Sequence, residues 1–176
     1  MKKRTVLIIM TIVMGIMLSA CSSNNGNNAS TNKPGNTASQ EKPVQSKLTT
    51  KEMVDEMLKQ VEQPMLMELT ADMVKNLYHL DPAVVEQYTI MTPLMNVKTN
   101  EIAIFKVKDA KDIAAVETAV KKRATDVQKS FETYLPDQYE NAKNYKLVTK
   151  GNYVLFIISD KAADLENIFN SFFDKA

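Results

Sequence analysis

The chain has 176 residues, of which 24% are charged and 44% hydrophobic, a composition typical of a folded protein with one domain. Its net charge is +1, but the three cationic residues at the N-terminus and a net +2 in residues 21–47 leave residues 48–176 at −4. This acidic balance gives no electrostatic attraction for nucleic acid, so the composition argues against a nucleic-acid partner.

The first 20 residues have the pattern of a secretory signal peptide. A basic start, Met1-Lys2-Lys3-Arg4, precedes an apolar run over residues 5–18. The run holds about 14 residues, fewer than the roughly 20 that a membrane-spanning helix needs. A cleaved signal over residues 1–20 is therefore favoured over the alternative, an uncleaved membrane helix, because the run is short and ends in small residues.

Cys21 follows this run directly and is the one cysteine in the chain. The segment Leu18-Ser19-Ala20-Cys21 resembles the lipobox of bacterial lipoproteins. The resemblance implies cleavage before Cys21 and a diacylglycerol thioether on its sulfur, which would hold the protein on the extracytoplasmic face of the cell membrane. A single cysteine also leaves none for a disulfide or for thiol catalysis in the folded domain.

Residues 21–47 read as the lipidated cysteine followed by a disordered spacer. Asn, Ser, Thr and Lys dominate residues 22–47, and the apolar residues there are Ala29, Ala38 and Val44. So polar a segment cannot bury a core. We therefore expect a tether that carries a single domain over residues 48–176. Lysine outnumbers arginine twenty to two in the whole chain, which favours an AT-rich, Gram-positive source.

The domain begins with helical signals. Thr49 and Glu52 have the spacing of a capping box and predict a helix that Pro64 ends. Thr70 predicts the N-cap of a second helix. Asp81-Pro82 predicts an N-cap with proline at the first helical position, opening one or two turns that run through residue 86.

Strand signals follow from Tyr88. Residues 88–97 are rich in β-formers, but Pro93 confines them to an edge strand or a bulge. Residues 101–107 predict a strong strand, and an apolar stripe from Asp109 predicts a helix of about 20 residues that Pro136 ends.

A hairpin and a final helix complete the chain. Gly151-Asn152 separates β-rich residues 145–149 and 153–159 and predicts a tight turn. The last helix begins near Lys161. We predict an α+β domain with a four-stranded, mainly antiparallel sheet built from two β-β-α units, with helices on one face and one or two N-terminal helices before them. A weak sequence echo between the two units leaves a duplication open.

Several segments together resemble a family of Gram-positive envelope lipoproteins known only as a domain of unknown function. The resemblance covers about residues 70–172 and is carried by Asn96-Val97-Lys98, Glu101-Ile102-Ala103, Asp137-Gln138-Tyr139-Glu140, Gly151-Asn152-Tyr153 and Ile157-Ile158-Ser159-Asp160. It implies a lipid-anchored envelope protein with no activity, ligand or catalytic residue to carry over.

Candidate chemistry is sparse. His79 is the one histidine, and no nucleophile elbow accompanies it. The pairs Asp109/Asp112 and Asp160/Asp164 could bind a divalent ion, but aspartates before helices are favoured as caps. We therefore predict no catalytic residue, no metal site and no cofactor.

Methionine is abundant, and its distribution leaves two readings. Seven methionines follow Cys21, at positions 53, 57, 65, 67, 73, 91 and 95. Met65, Met67, Met91 and Met95 with His79 could form a copper(I) site, since soft ligands select that ion. Otherwise they fill a core or form an adaptable groove for a partner.

The sequence thus favours a non-catalytic, lipid-anchored binding or interaction module of the cell envelope. Its partners would be the membrane, through the lipid on Cys21, and an envelope protein. Two alternatives stay open: a solute- or metal-binding lipoprotein that serves a transporter, and an enzyme that acts on cell-wall polymers.

Overall fold

The computed structural model describes residues 44–173. The predicted signal peptide 1–20, Cys21 and spacer residues 22–43 lie outside this range. The helices are α1 (Thr50–Gln60), α2 (Ala71–Tyr78), α3 (Ile113–Phe131), α4 (Pro136–Lys143) and α5 (Ala162–Ser171). The strands are β1 (Leu66–Glu68), β2 (Val85–Pro93), β3 (Glu101–Val107), β4 (Lys146–Lys150) and β5 (Tyr153–Ile158). None of the helices within residues 44–173 is both long and apolar enough to cross a bilayer.

The strands form one antiparallel sheet in the order β1-β2-β3-β5-β4. The prediction of four strands was wrong, because β1 pairs with the end of β2 and makes a fifth. Three residues are too few to show an alternating pattern in sequence. β2 is consequently not an edge strand: Pro93 is its last residue, and the N–H of Leu94 bonds to the carbonyl oxygen of Met65 at 2.9 Å.

Helices cover both faces of the sheet, and the prediction that they lie on one face was wrong. In β3, Ile102 and Ile104 join one core cluster with α1 and α5, whereas Ala103 and Phe105 join a second cluster with α2 and α3. β5 alternates in the same way. The central strands are therefore buried on both sides, which explains why both read as continuous apolar runs.

The β-β-α order predicted twice does occur, as β2-β3-α3 and β4-β5-α5. β3 and β5 are antiparallel neighbours, so a two-fold axis that exchanges the two hairpins is perpendicular to the sheet. Two units related by this axis would have both of their helices on the same face. Instead α3 and α5 pack on opposite faces. The helix placement therefore does not follow the sequence echo.

Local signals at the element ends were largely informative. The capping box is confirmed: Glu52 N donates to Thr49 Oγ1 at 3.2 Å, and Thr49 N donates to Glu52 Oε2 at 2.8 Å. Asp81 caps a single 3₁₀ turn, Pro82–Val84, by accepting from Ala83 N at 2.9 Å, and β2 begins directly after it. The turn therefore ends before residue 86.

Pro64, Pro136 and Gly151 lie at or near the ends of helices and strands, as their residue types predict. α1 ends at Gln60, before Pro64. Pro136 does more than end a helix, because it occupies the first turn of α4, where its missing N–H is not needed. Gly151 has φ +56°, which confirms the predicted hairpin turn.

Candidate functional site

A groove of 370 Å³ opens between α2 and α3, above the end of β2 and the start of β3. Three methionines from three separate segments line it: Met67 of β1, Met73 of α2 and Met95 of the β2–β3 loop. We call it the methionine groove. Its other lining residues are Leu69, Leu77, Thr92, Pro93, Asn96, Lys98, Thr99, Glu101, Arg123, Val127, Ser130 and Phe131.

The methionine groove lies in an exposed apolar patch. Six of the eight large hydrophobic residues that are exposed within residues 44–173 fall between positions 65 and 97, whereas the other two are Val44 and Tyr134. Three of these side chains line one groove, and Leu94 N bonds to the Met65 carbonyl oxygen at 2.9 Å, so this part of the surface is a candidate binding surface. The six, which we call the apolar patch, are Met65, Met67, Met73, Leu94, Met95 and Val97.

Methionine suits this position physically. Its side chain is unbranched, and its polarizable sulfur allows it to pack against surfaces of different shapes. Met67, Met73 and Met95 are 38%, 37% and 47% exposed, whereas Met53 and Met57 of α1 are fully buried. The chain therefore uses one residue type in two ways, as core filler under the sheet and as the wall of an open groove.

A buried ion pair forms the floor of the groove. Arg123 Nε donates to both carboxylate oxygens of Glu101 at 3.1 Å, and its Nη2 donates to Oε2 at 2.7 Å. Glu101 is 1% exposed, and the Arg123 side chain is 16% exposed. Burial lowers the pKa of Arg123, but the charge of Glu101 and the hydrogen bonds outweigh this and raise it, so the guanidinium stays charged.

Tyr78 completes this network from α2. Its hydroxyl donates to Glu101 Oε1, and its ring lies 5.9 Å from the Arg123 guanidinium carbon. Burial, followed by the charge of Glu101 and the hydrogen bond to it, raises the pKa of Tyr78 well above its ordinary value. The ring also packs edge-on against Phe105 with centroids 5.4 Å apart. Glu101 thus ties α2 and α3 to β3, which fixes the walls of the groove.

The predicted copper(I) residues do not come together. Met67 and Met95 line the groove, but Met91 packs against the cluster on the opposite face of the sheet. His79 lies in separate depressions around the end of α2, where it has φ +51° as the C-cap. The arrangement therefore favours the second interpretation of these residues, an adaptable groove.

The predicted acidic caps are confirmed at one position of the four. Asp109 accepts from Lys111 N at 3.1 Å, which caps the 3₁₀ turn Ala110–Asp112 and holds the pKa of Asp109 below its ordinary value. Asp112 makes no side-chain cap bond, and Asp164 lies within the first turn of α5. In the part of the chain that the structure describes, no three His, Cys, Asp or Glu residues are placed to hold a metal ion.

Ser159, and not Asp160 as predicted, accepts the backbone hydrogen bond before α5. Ser159 Oγ accepts from Lys161 N at 3.1 Å and donates to Gln63 Oε1 at 3.0 Å. Asn100 Nδ2 donates to the same Gln63 oxygen at 3.0 Å. These bonds line a polar depression of 440 Å³ and join the end of β5 to the residues before β1 and β3, so they are explained by structure.

Sequence reasoning missed the ion pair, although a signal for Arg123 was present. The buried stripe of α3 contains Val116, Val120 and Val127, and Arg123 falls on it, three residues after one valine and four before the next. A charged residue on an apolar stripe requires a buried partner. The sequence could not identify that partner, since Glu101 opens a strand on a different element.

Comparison with known proteins places the chain in a family without assigning an activity. No curated protein and no solved structure is significantly similar to it. The model of the domain of unknown function DUF4358 matches residues 59–159, more than half of the chain and all of the groove lining. The chain therefore belongs to the DUF4358 family of domains of unknown function.

Proposed function

We propose that this protein is a lipid-anchored, extracytoplasmic binding module whose methionine groove holds an apolar segment of another envelope protein. The observation that carries the proposal is the gathering of Met67, Met73 and Met95 around one open groove. These three side chains keep 37–47% of their surface exposed, and covering apolar surface with a partner is favourable in water.

The anchor is proposed from the sequence. A basic start, a short apolar run and Leu18-Ser19-Ala20-Cys21 are together the pattern of a lipoprotein precursor. Two or more acyl chains on one residue give stable attachment, whereas one alone is marginal. The domain would then meet its partner at the membrane surface, where both are confined and their effective concentration is high.

The groove supports binding rather than catalysis. General acid–base catalysis needs a titratable group that reaches the substrate with a pKa near the working pH. Arg123 in the groove floor and Tyr78 buried behind it both have pKa values raised from already high values, and Glu101 is held by both partners. Tyr78 and Arg123 therefore stay protonated near neutral pH, and the three side chains are engaged with one another in fixing the groove walls.

The test is a crosslinked pull-down from intact cells. The bait is the full lipid-anchored chain, and the control is a Cys21-anchored chain that lacks residues 48–176. The proposal predicts a reproducible envelope protein that depends on the folded domain. Equal recovery with both baits, or no partner with either, would contradict it.

A further inference from the structure

The polar depression is a second recess of the domain, beside the start of β3. Four parts of the chain converge on it: the α1–β1 connection, the β2–β3 loop, α4 and the β5–α5 connection. Of its lining residues, only Lys98 also lines the methionine groove. The depression is therefore a separate candidate site, and the proposed function makes no use of it.

Hydrogen bonds under the depression hold its floor in place. The eight buried polar or charged residues within residues 44–173 include four from this network, at positions 99, 100, 138 and 159. Gln138 Oε1 accepts from Thr99 N at 3.1 Å, and Thr99 Oγ1 accepts from Asn141 Nδ2 at 3.1 Å. These bonds join α4 to the β2–β3 loop. A floor that is already fixed in the free protein needs little further ordering when a ligand binds.

The carboxamide oxygen of Asn100 is left without a partner in this floor. Asn100 is 6% exposed, and its Nδ2 donates to Gln63 Oε1. Its Oδ1 accepts no hydrogen bond from the residues that the structure describes. Since no fully enclosed polar side-chain atom in that part of the chain lacks a partner, this oxygen opens into the depression that Asn100 lines. It is free to accept a hydrogen bond from a ligand.

Charged side chains of both signs surround this floor. Three carboxylates and two ammonium groups line the depression: Glu62, Asp137, Asp160, Lys98 and Lys161. None of the ion pairs formed between residues 44 and 173 includes any of these five. The hydrogen bond from Gln138 lowers the pKa of Asp137, and the charge of Lys98 lowers it further, which places this ammonium group close to that carboxylate. The depression therefore presents opposite charges that no ion pair of the domain uses.

We propose that the polar depression binds a small zwitterion, an α-amino acid or a short peptide. The ligand carboxylate lies towards Lys98 and Lys161, and the ligand ammonium group donates to Asn100 Oδ1 and to the neighbouring carboxylates. A volume of 440 Å³ falls in the range of about 300–1,000 Å³ that small-molecule sites occupy. The proposal requires neither the lipid anchor nor the methionine groove.

The lining of the depression argues against other ligand classes. A ligand with charge of one sign would face like charges, either three carboxylates or two ammonium groups. None of the ten lining residues is aromatic, so a sugar or a nucleobase finds no ring face on which to stack. A zwitterion satisfies both signs of charge at once.

The experiment titrates the purified full chain in detergent with alanyl-alanine by isothermal titration calorimetry. Two matched ligands each lack one charge: N-acetyl-alanyl-alanine has no ammonium group, and alanyl-alanine amide has no carboxylate. Glucose serves as a neutral polar ligand. We expect alanyl-alanine to bind about tenfold more tightly than each of the other three, because only it makes charge-assisted hydrogen bonds at both ends.

Two substitutions separate the two ends of the ligand. Lys161→Gln should weaken alanyl-alanine about fivefold but change the affinity of the amide little, whereas Asp160→Asn should do the same to alanyl-alanine but change the N-acetyl form little. Both residues are exposed, and the melting temperature of each variant verifies folding. Lys129→Gln is the matched control, since it removes the same charge from an exposed position of α3 outside the depression and should bind as the parent does.

Several results would overturn the proposal. One is that alanyl-alanine does not bind, and another is that it binds no more tightly than the two modified dipeptides. Glucose binding more tightly than alanyl-alanine would identify the depression as a site for neutral polar ligands instead. A loss in Lys161→Gln that is equal for all three dipeptides, or that Lys129→Gln reproduces, would show that Lys161 does not hold the ligand carboxylate.

Discussion

Replacing Glu101 with glutamine removes the charge from the groove floor and nearly preserves its shape. The Arg123 guanidinium then loses the carboxylate that accepts three of its hydrogen bonds, while its side chain remains only 16% exposed. Breaking a buried pair by removing one partner costs about 3–5 kcal/mol. Since Arg123 keeps some contact with water and Gln keeps an acceptor, we expect a loss of about 3 kcal/mol.

The assays are denaturant unfolding and thermal unfolding of the lipid-free chain that begins at residue 22, both monitored by circular dichroism. A loss of about 3 kcal/mol corresponds to a fall in Tm of roughly 10 °C for a domain of this size. Glu140→Gln is the matched control, because Glu140 pairs with Lys143 at 2.9 Å on an exposed helix surface. Exposed pairs contribute about 0–1 kcal/mol, so this variant should unfold almost as the parent does.

The triple variant Glu101→Leu, Arg123→Leu, Tyr78→Phe separates the two sources of the loss. It removes the unpaired charge and also the buried hydroxyl that would lose its acceptor, so we expect the triple variant to be more stable than Glu101→Gln alone. A loss below about 1 kcal/mol for Glu101→Gln would refute the reasoning, because the ion pair would then not hold α2 and α3 against the sheet.

Three further variants test separate parts of the structure. The raised pKa of Tyr78 contributes stability that is fully present below pH 10.0, the ordinary value, and is lost as pH rises towards the folded value. In urea unfolding at pH 8, Tyr78→Phe should therefore be about 1.5–3 kcal/mol less stable than the parent. Between pH 8 and pH 11 the variant should lose less stability than the parent does, and the same pH dependence in both would contradict this. Gly151→Val places a branched side chain at φ +56° against Val44, so its Tm should fall, and an unaltered Tm would contradict the assigned turn. Cys21→Ala should release the protein from the membrane fraction, and unchanged fractionation would contradict the anchor.

The elements that could be predicted are those with strong local or periodic signals. The apolar runs of β3 and β5, the stripe of α3 and the capping box at Thr49 each identify an element from adjacent residues. β1 and α4 were missed because one is three residues long and the other begins at a proline that reads as a stop. Short elements are defined by what they pack against, which a local pattern does not contain.

The placement of helices on both faces was misread, although β3 and β5 carried the information. A strand that faces water on one side alternates, whereas these two do not. The repeated β-β-α order favoured helices on one face, whereas the lack of alternation in β3 and β5 indicates burial on both faces. The structure shows that continuous apolar strands were the better evidence.

The methionine groove could be foreseen in kind but not in composition. Methionine abundance suggested an adaptable surface, but Met53, Met57 and Met91 pack away from the groove and only three of the seven line it. Which methionines share a face depends on the register of β1 with β2 and on the position of α2. These are tertiary facts that composition cannot supply.

The most direct test of the central claim compares two single substitutions in the crosslinked pull-down from intact cells. Met67→Glu puts a carboxylate into the groove. Val44→Glu is the control, because it puts a carboxylate beside Gly151 at the opposite end of the sheet, and both residues are 38% exposed. If the groove binds an apolar protein segment, Met67→Glu loses the partner and Val44→Glu retains it. Retention of the partner by Met67→Glu, or equal loss by both variants, would contradict the claim.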